Sequence, residues 1–243
     1  MALRYRLAFF VALMLAGVMG SARAQAPGTP APAPSPAPAT GPVYIVTYFE
    51  VGTPAAGKTV EVLRQFAAAT RKEAGNSGFI ALEELARPAR FAMVEMWRDK
   101  VAVEAHGAAV NALRDKLQPV FASPFDIRTN SGLSVAGPAI GAEPAALNPV
   151  YVLTHVDVFP AGKDQTIEFL KQLADASRKE NGNQRFDVLQ QEGRANHLPL
   201  VEAWRSVEAQ RAHTIAEHTR AFRAKLVPLQ GALYDERIFE PVR

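Results

Sequence analysis

The chain has 243 residues, 48% of them hydrophobic, and no cysteine, which is enough for one large domain or two small ones with real cores. Lack of cysteine excludes disulfides, thiolate-held metal clusters and a thiol nucleophile. The formal charge of +3 rests on Arg4, Arg6 and Arg23; without them 24 basic residues face 24 acidic ones, and the compositional case for a nucleic-acid or anionic-membrane partner disappears.

In chain order, residues 1–24 read as a secretory signal peptide. Arg4 and Arg6 form a basic start, Leu7 to Met19 an apolar stretch, and Ala22-Arg23-Ala24 a small-x-small cleavage site. The apolar run is shorter than the roughly 20 residues that span a bilayer, so no stable membrane anchor is expected after cleavage. Arg4-Tyr5-Arg6 is not a twin-arginine pair, so a Sec-type route is expected, with a periplasmic or secreted product. Residues 25–41 hold six prolines and no charge, which predicts an extended tether.

The remainder is a tandem duplication. Shifting the chain by 107 residues lays 42–106 on 149–213 without a gap, with 26 of 65 pairs identical. Arg71-Lys72-Glu73 falls on Arg178-Lys179-Glu180, Trp97-Arg98 on Trp204-Arg205, and Ala105-His106 on Ala212-His213. The repeats are taken as 42–130 and 149–243, joined by a Gly/Ala/Pro-rich linker, 131–148.

Each repeat spells the same order. Apolar runs at 43–51 and 150–158 predict strands, and amphipathic helices follow at 58–74 and 164–181. Strands are expected near 79–85 and 91–98, and near 186–192 and 198–205. Second helices cover 100–117 and 207–226, and final short strands lie near 125–130 and 233–239. The order βαββαβ is the ferredoxin-like unit, an α+β fold. Its first strand is apolar on both faces, which demands cover on the side away from the helices. The other repeat is the expected cover. The expectation is two ferredoxin-like units packed sheet to sheet as an intramolecular pseudo-dimeric α/β barrel, with a cavity between the sheets, either monomeric or further assembled.

Period-two alternation puts Leu198, Leu200, Glu202 and Trp204 on one strand face, and Phe91, Met93, Glu95 and Trp97 on its counterpart. His213 and His106 follow nine residues after each tryptophan. A tryptophan closing a strand is ordinarily packing, and a helical histidine ordinarily a satisfied partner. Recurrence of carboxylate, indole and imidazole in both copies, while neighbours differ, favours a site.

The runs Arg178-Lys179-Glu180-x-Gly-Asn, Asn196-x-Leu198-x-x-x-Glu202-x-Trp204-Arg205 and Ala212-His213-x-x-x-x-His218 resemble the antibiotic biosynthesis monooxygenase domain family across both repeats. The resemblance implies a cofactor-free monooxygenase that brings a quinol- or anthrone-type aromatic to dioxygen. It implies Trp204, His213, Asn196 and Glu202 as the catalytic set, with His213 or Glu202 as base and Asn196 or the Trp204 indole supporting an oxyanion. Tyr151, His155 and His218 are expected to contact the substrate, and Trp97, His106 and Glu95 form a second candidate site.

Repeat 1 departs from the pattern. It has Ala89 opposite Asn196, Asn111 near the expected second histidine, and a two-residue deletion in its second helix, so activity is expected in repeat 2. The alternatives are haem binding or degradation, or a non-catalytic periplasmic small-molecule-binding protein. Related haem enzymes use an asparagine on the first strand, and the first strands here have none. His213, Glu217 and His218 offer two metal ligands at helical spacing but no evident third, so no metal is expected.

Overall fold

The computed structural model describes residues 41–137, 139–141 and 149–243. The expected signal segment, all but the last residue of the tether, and residues 138 and 142–148 of the linker lie outside the described residues. Repeat 1 contributes β1 (Val43–Val51), α1 (Ala56–Thr70), β2 (Asn76–Glu84), β3 (Arg90–Trp97), α2 (Lys100–Leu117) and β4 (Phe121–Ser134). Repeat 2 contributes β5 (Val150–His155), α3 (Lys163–Ser177), β6 (Asn183–Gln191), β7 (Leu200–Trp204), α4 (Val207–Thr214), α5 (Glu217–Leu226) and β8 (Asp235–Pro241).

The helix ends follow from local chemistry. Asp99 caps α2 by accepting from the Ala102 N–H, and Ser206 caps α4 by accepting from Ala209. After α1 and α3 the chain turns through Gly75 and Gly182 at φ of +87° and +101°, where a Cβ would press on Ala102 or Ala209. The glycine carbonyls then receive the Arg98 and Arg205 N–H groups, starting the return along the sheet.

The eight strands close into one barrel in the order β1-β3-β2-β8-β5-β7-β6-β4. Each repeat supplies four strands in ferredoxin-like order, and the two sets do more than face each other. β4 runs past the repeat boundary and pairs with β6, Asn130 opposite Gln191 and Gly132 opposite Leu189. β8 pairs with β5 and then, through Leu82–Pro241 and Glu84–Phe239, with β2. β4 is therefore longer than its sequence suggests, because its free edge finds a partner only across the duplication.

The sheet's two faces separate two kinds of core. Outside the barrel, α3, α4 and α5 cover Val150, Val152, Phe186, Leu198, Leu200 and Trp204, while α1 and α2 cover Phe79, Phe91 and Met93. Inside it, Tyr44, Val46, Leu82, Tyr151, Leu153, Leu189 and Phe239 pack together. Side chains fill the middle of the space where a cavity between the sheets is expected, and Ile140 from the linker packs among them; a pocket of about 210 Å³ remains toward one end of the barrel, bordered by Tyr48, Glu84, Arg128, Arg237 and Phe239. Gly78 makes room for Ile140, since a Cβ there would lie 2.6 Å from the Ile140 nitrogen. In repeat 2 the counterparts of Gly78 and Ile80 are Arg185 and Asp187, a fully buried ion pair pointing inward, with Asp187 also accepting from the Ala136 N–H. The second helix of repeat 2, expected as one piece, is broken at Ile215–Ala216, where the two additional residues sit.

Candidate active site

The alternation of β7 turns Glu202 and Trp204 away from the barrel lumen toward the helices, where α4 delivers His213. The Trp204 indole N–H donates to Glu202 Oε2 at 2.9 Å. The same carboxylate oxygen lies 3.9 Å from His213 Nε2, and the imidazole stacks on the indole at 4.6 Å between centroids. On its other edge His213 Nδ1–H donates to Glu180 Oε1 at 2.6 Å. His218, from α5, donates through Nε2 to that same oxygen at 2.8 Å. The result is a row of five side chains, Trp204–Glu202–His213–Glu180–His218, hydrogen-bonded at every step except the 3.9 Å approach of Glu202 to His213, from a fully buried indole to a half-buried imidazole.

Burial sets the protonation of this chain. It pushes Glu202 up to about 8, the Trp204 hydrogen bond opposing the shift, so Glu202 holds its proton at neutral pH. Burial lowers His213, with Glu180 opposing, which favours a neutral imidazole. A carboxylic acid therefore faces a neutral imidazole held from behind by a second carboxylate, and such separated affinities suit acid–base work.

Repeat 1 reproduces the inner part. Trp97 donates to Glu95 at 2.8 Å, His106 Nε2 lies 3.5 Å from Glu95, and His106 Nδ1 meets Glu73 at 2.8 Å. Burial raises Glu95 likewise. What repeat 1 lacks is the outer imidazole. Grooves lie between the helices of each repeat, and their linings correspond: Phe169, Leu173, His218, Phe222 and Lys225 in repeat 2, and Val62, Phe66, Ala109, Leu113 and Lys116 in repeat 1. The counterpart of His218 is therefore Ala109, rather than a position near Asn111. Smaller side chains leave the repeat 1 groove at about 280 Å³ against about 120 Å³ in repeat 2.

Trp204, Glu202, His213 and His218 thus come together, and three other expected residues do not. Asn196 sits at the opposite end of β7, its amide donating to the Val158 carbonyl at 2.8 Å. It lies in the turn ahead of β7, so the whole length of that strand, roughly 13 Å, stands between it and Trp204. Tyr151 points into the barrel. His155 lies at the barrel mouth, its Nδ1 3.1 Å from both Arg128 Nη1 and His197 Nε2. Burial first, then Arg128, drives it down to about 3.

The residue missed in the sequence is Glu180, with its counterpart Glu73. Its signal was present in the repeated Arg-Lys-Glu-x-Gly-Asn run, where each conspicuous residue now has a task. Arg178 and Arg71 bind the carbonyls of Phe186 and Phe79, the glutamate holds the histidine, and the glycine turns the chain. Glu217, the carboxylate the helical spacing suggested, is exposed.

A duplicated ferredoxin-like barrel with an indole–carboxylate–imidazole–carboxylate chain under each helical layer defines the class. The family model for antibiotic biosynthesis monooxygenases matches residues 42–112 and 149–225, and the chain belongs to that family. Over 86 residues it is 26% identical to the Bacillus subtilis protein named "Putative monooxygenase YcnE", covering 35% of this chain and 90% of that one. A "putative monooxygenase" structure from Fusobacterium nucleatum matches with a TM-score of 0.71 at 14% identity, covering 84% of this chain and 94% of its own. One from Lactobacillus acidophilus gives 0.69 at 14%, covering 84% and 95%. An "anthrone oxidase-like protein" gives 0.65 at 16%, covering 83% and 92%. These likenesses establish a shared fold.

Proposed function

We propose that this is an exported, cofactor-independent monooxygenase that joins dioxygen to a quinol- or anthrone-type aromatic, with its working site in repeat 2. Family membership supports monooxygenase chemistry in general. The observation that carries the finer reading is the buried Glu202–His213–Glu180 chain against the Trp204 indole. Neutral His213, fixed on its Nδ1 side by Glu180, takes the acidic proton of the substrate at Nε2, and Glu202 beside it relays or returns protons. The resulting phenolate-type anion is electron-rich enough to pass one electron to dioxygen, giving a substrate radical and superoxide. Recombination of radical and superoxide forms the carbon–oxygen bond, the peroxide takes a proton from Glu202, and departure of the remaining hydrogen on that carbon with the outer oxygen as water leaves the inner oxygen as the new carbonyl.

Access would come through the groove between α3 and α5, where Phe169, Leu173 and Phe222 offer apolar contact and His218 is part of the lining. At about 120 Å³ it is below the ~300 Å³ of ordinary ligand sites, so a tricyclic substrate requires α5 to swing from α3. The break at Ile215–Ala216 supplies the hinge.

The test is oxygen uptake by purified protein with a panel of quinols and anthrones, chelator present. Trp204→Phe removes the indole donor while keeping an aromatic ring, and it is expected to lower uptake at least tenfold, the scale of one lost polar contact to the reacting system. Uptake no greater than with heat-killed protein, or equal uptake by the variant, would remove this site from consideration.

A further inference from the structure

The proton chemistry of the chain uses His213 and Glu180 but not the second imidazole, His218, that converges on the same carboxylate oxygen. Repeat 1 shows that a Trp–Glu–His–Glu unit is complete without His218, because Ala109 occupies that place and Glu73 still holds His106 at 2.8 Å. In repeat 2 two additional residues break the helix, and the second piece brings His218 Nε2 onto the very oxygen already taken by His213 Nδ1. Two imidazole nitrogens and one carboxylate oxygen converge, all within 4.8 Å of one another.

We propose that Glu180, His213 and His218 bind one divalent transition-metal ion of the zinc type, in repeat 2 alone. The donor set is right for such an ion, two imidazoles and a carboxylate, and poor for magnesium or calcium, which favour oxygen. Bonds of about 2.1 Å put tetrahedral ligands about 3.4 Å apart, so the present separations of 2.6 and 2.8 Å need only a small retreat of the carboxylate. Glu202 stands 3.9 Å behind the far nitrogen of His213, in place to orient the imidazole as outer carboxylates do for metal-bound histidines. The His218 side chain is 31% exposed and borders the α3–α5 groove, which gives an entry path and room for a water as fourth ligand.

The ion would tie the turn after α3 to both α4 and α5. The inference goes beyond the oxygenase reading, since it requires no electron transfer at the metal. Bound there, the ion would hold the groove shut and occupy the nitrogen by which Glu180 orients His213. Micromolar zinc would then inhibit the oxygen chemistry rather than support it.

The experiment is cobalt titration of the chelator-treated full chain, followed by visible absorption, with zinc competition. One equivalent of cobalt is expected to give a saturable d–d band that zinc abolishes. His218→Ala, which installs the repeat 1 residue at a half-exposed position, should weaken binding at least about tenfold, as should Glu180→Gln. Glu217→Gln, altering the exposed neighbour, should change nothing. Circular dichroism confirms that each variant is folded. No saturable band, or a band unchanged in His218→Ala, overturns the proposal and leaves the trio a hydrogen-bonded strut. Because the readout is cobalt absorption, it fails or succeeds independently of oxygen uptake.

Discussion

At the level of single residues, two buried titratable groups pull stability in opposite directions with pH. Glu202, raised to about 8, is comfortable protonated, and its burial costs more as pH rises from its ordinary 4.5. His155, lowered from 6.5 to about 3, behaves oppositely. Between those values the unfolded chain takes up a proton that the folded protein refuses, so stability falls as pH drops across that window. The groups that face His155 are Tyr48 on β1, Arg128 on β4, His197 in the β6–β7 loop, and Asp235 and Arg237 on β8. Only the aspartate favours the proton. His155→Asn is therefore expected to flatten the acid limb of the melting-temperature profile, saving on the order of a few kcal/mol at pH 4 relative to pH 7. An acid limb identical to that of the parent protein would show that other groups control it.

Residue-level reading of the sequence succeeded where a pattern was local. Glu202 and Trp204 share a strand face by alternation alone, and both are found on the helix side as a hydrogen-bonded pair. It failed for Asn196, which belongs to the same motif but follows a turn and sits at the other strand end, tied to Val158. Spacing along a motif carries no distance once the chain runs the length of a strand. Asn196→Ala is accordingly expected to lose about 1 kcal/mol of stability through the vacated Val158 carbonyl, with little effect on turnover. Glu180 was hidden for a related reason: its partner lies 33 residues away, and only the fold brings them together.

Among the elements, the linker departs furthest from its sequence. Gly, Ala and Pro suggested a passive connection, yet β4 continues to Ser134 and pairs with β6. Arg178 then grips the Ser134 carbonyl at 2.9 Å, and Ile140 packs inside the barrel beside Gly78. None of these contacts has a periodic signature, because each joins the linker to a residue far away in the sequence. Gly78→Ala would put a methyl group against Ile140 backbone, with nearest approaches of 2.6 and 2.9 Å. We expect a loss of about 1–3 kcal/mol, seen as a lower denaturant midpoint at unchanged slope. A midpoint equal to that of the parent would mean that the linker yields at no cost. The helix break in repeat 2 was likewise invisible as a break; the insertion was legible, but its position within the helix was not.

For the whole molecule, the decisive contacts are those that cross the duplication. β4 with β6 and β8 with β2 are the seams of the barrel, and each consists of one repeat's last strand against the other's second. A single repeat would leave both edges open along with the apolar face that carries Tyr44, Val46 and Leu82 or Tyr151, Leu153 and Leu189. Residues 42–141 produced alone are expected to form a two-fold dimer that rebuilds both seams, with sedimentation giving twice the chain mass and β-rich circular dichroism. A folded monomer would contradict this account of what closes the barrel. The duplication itself was plain in the sequence, as was the need for a second sheet. The closed seam was not, since pairing between distant edges leaves no mark on composition.

The single covalent connection between the halves also changes how the protein answers to dilution. A barrel assembled from two separate chains falls apart as concentration drops, because mass action sets its population. Here each half meets its partner at an effective concentration fixed by the short linker, in the millimolar range typical of short tethers. The barrel therefore stays closed at any abundance. The same permanence relaxes a constraint of symmetry: within the barrel each half packs against the other half rather than a copy of itself, so one can take on Arg185, Asp187 and His218 while the other keeps Gly78, Ile80 and Ala109.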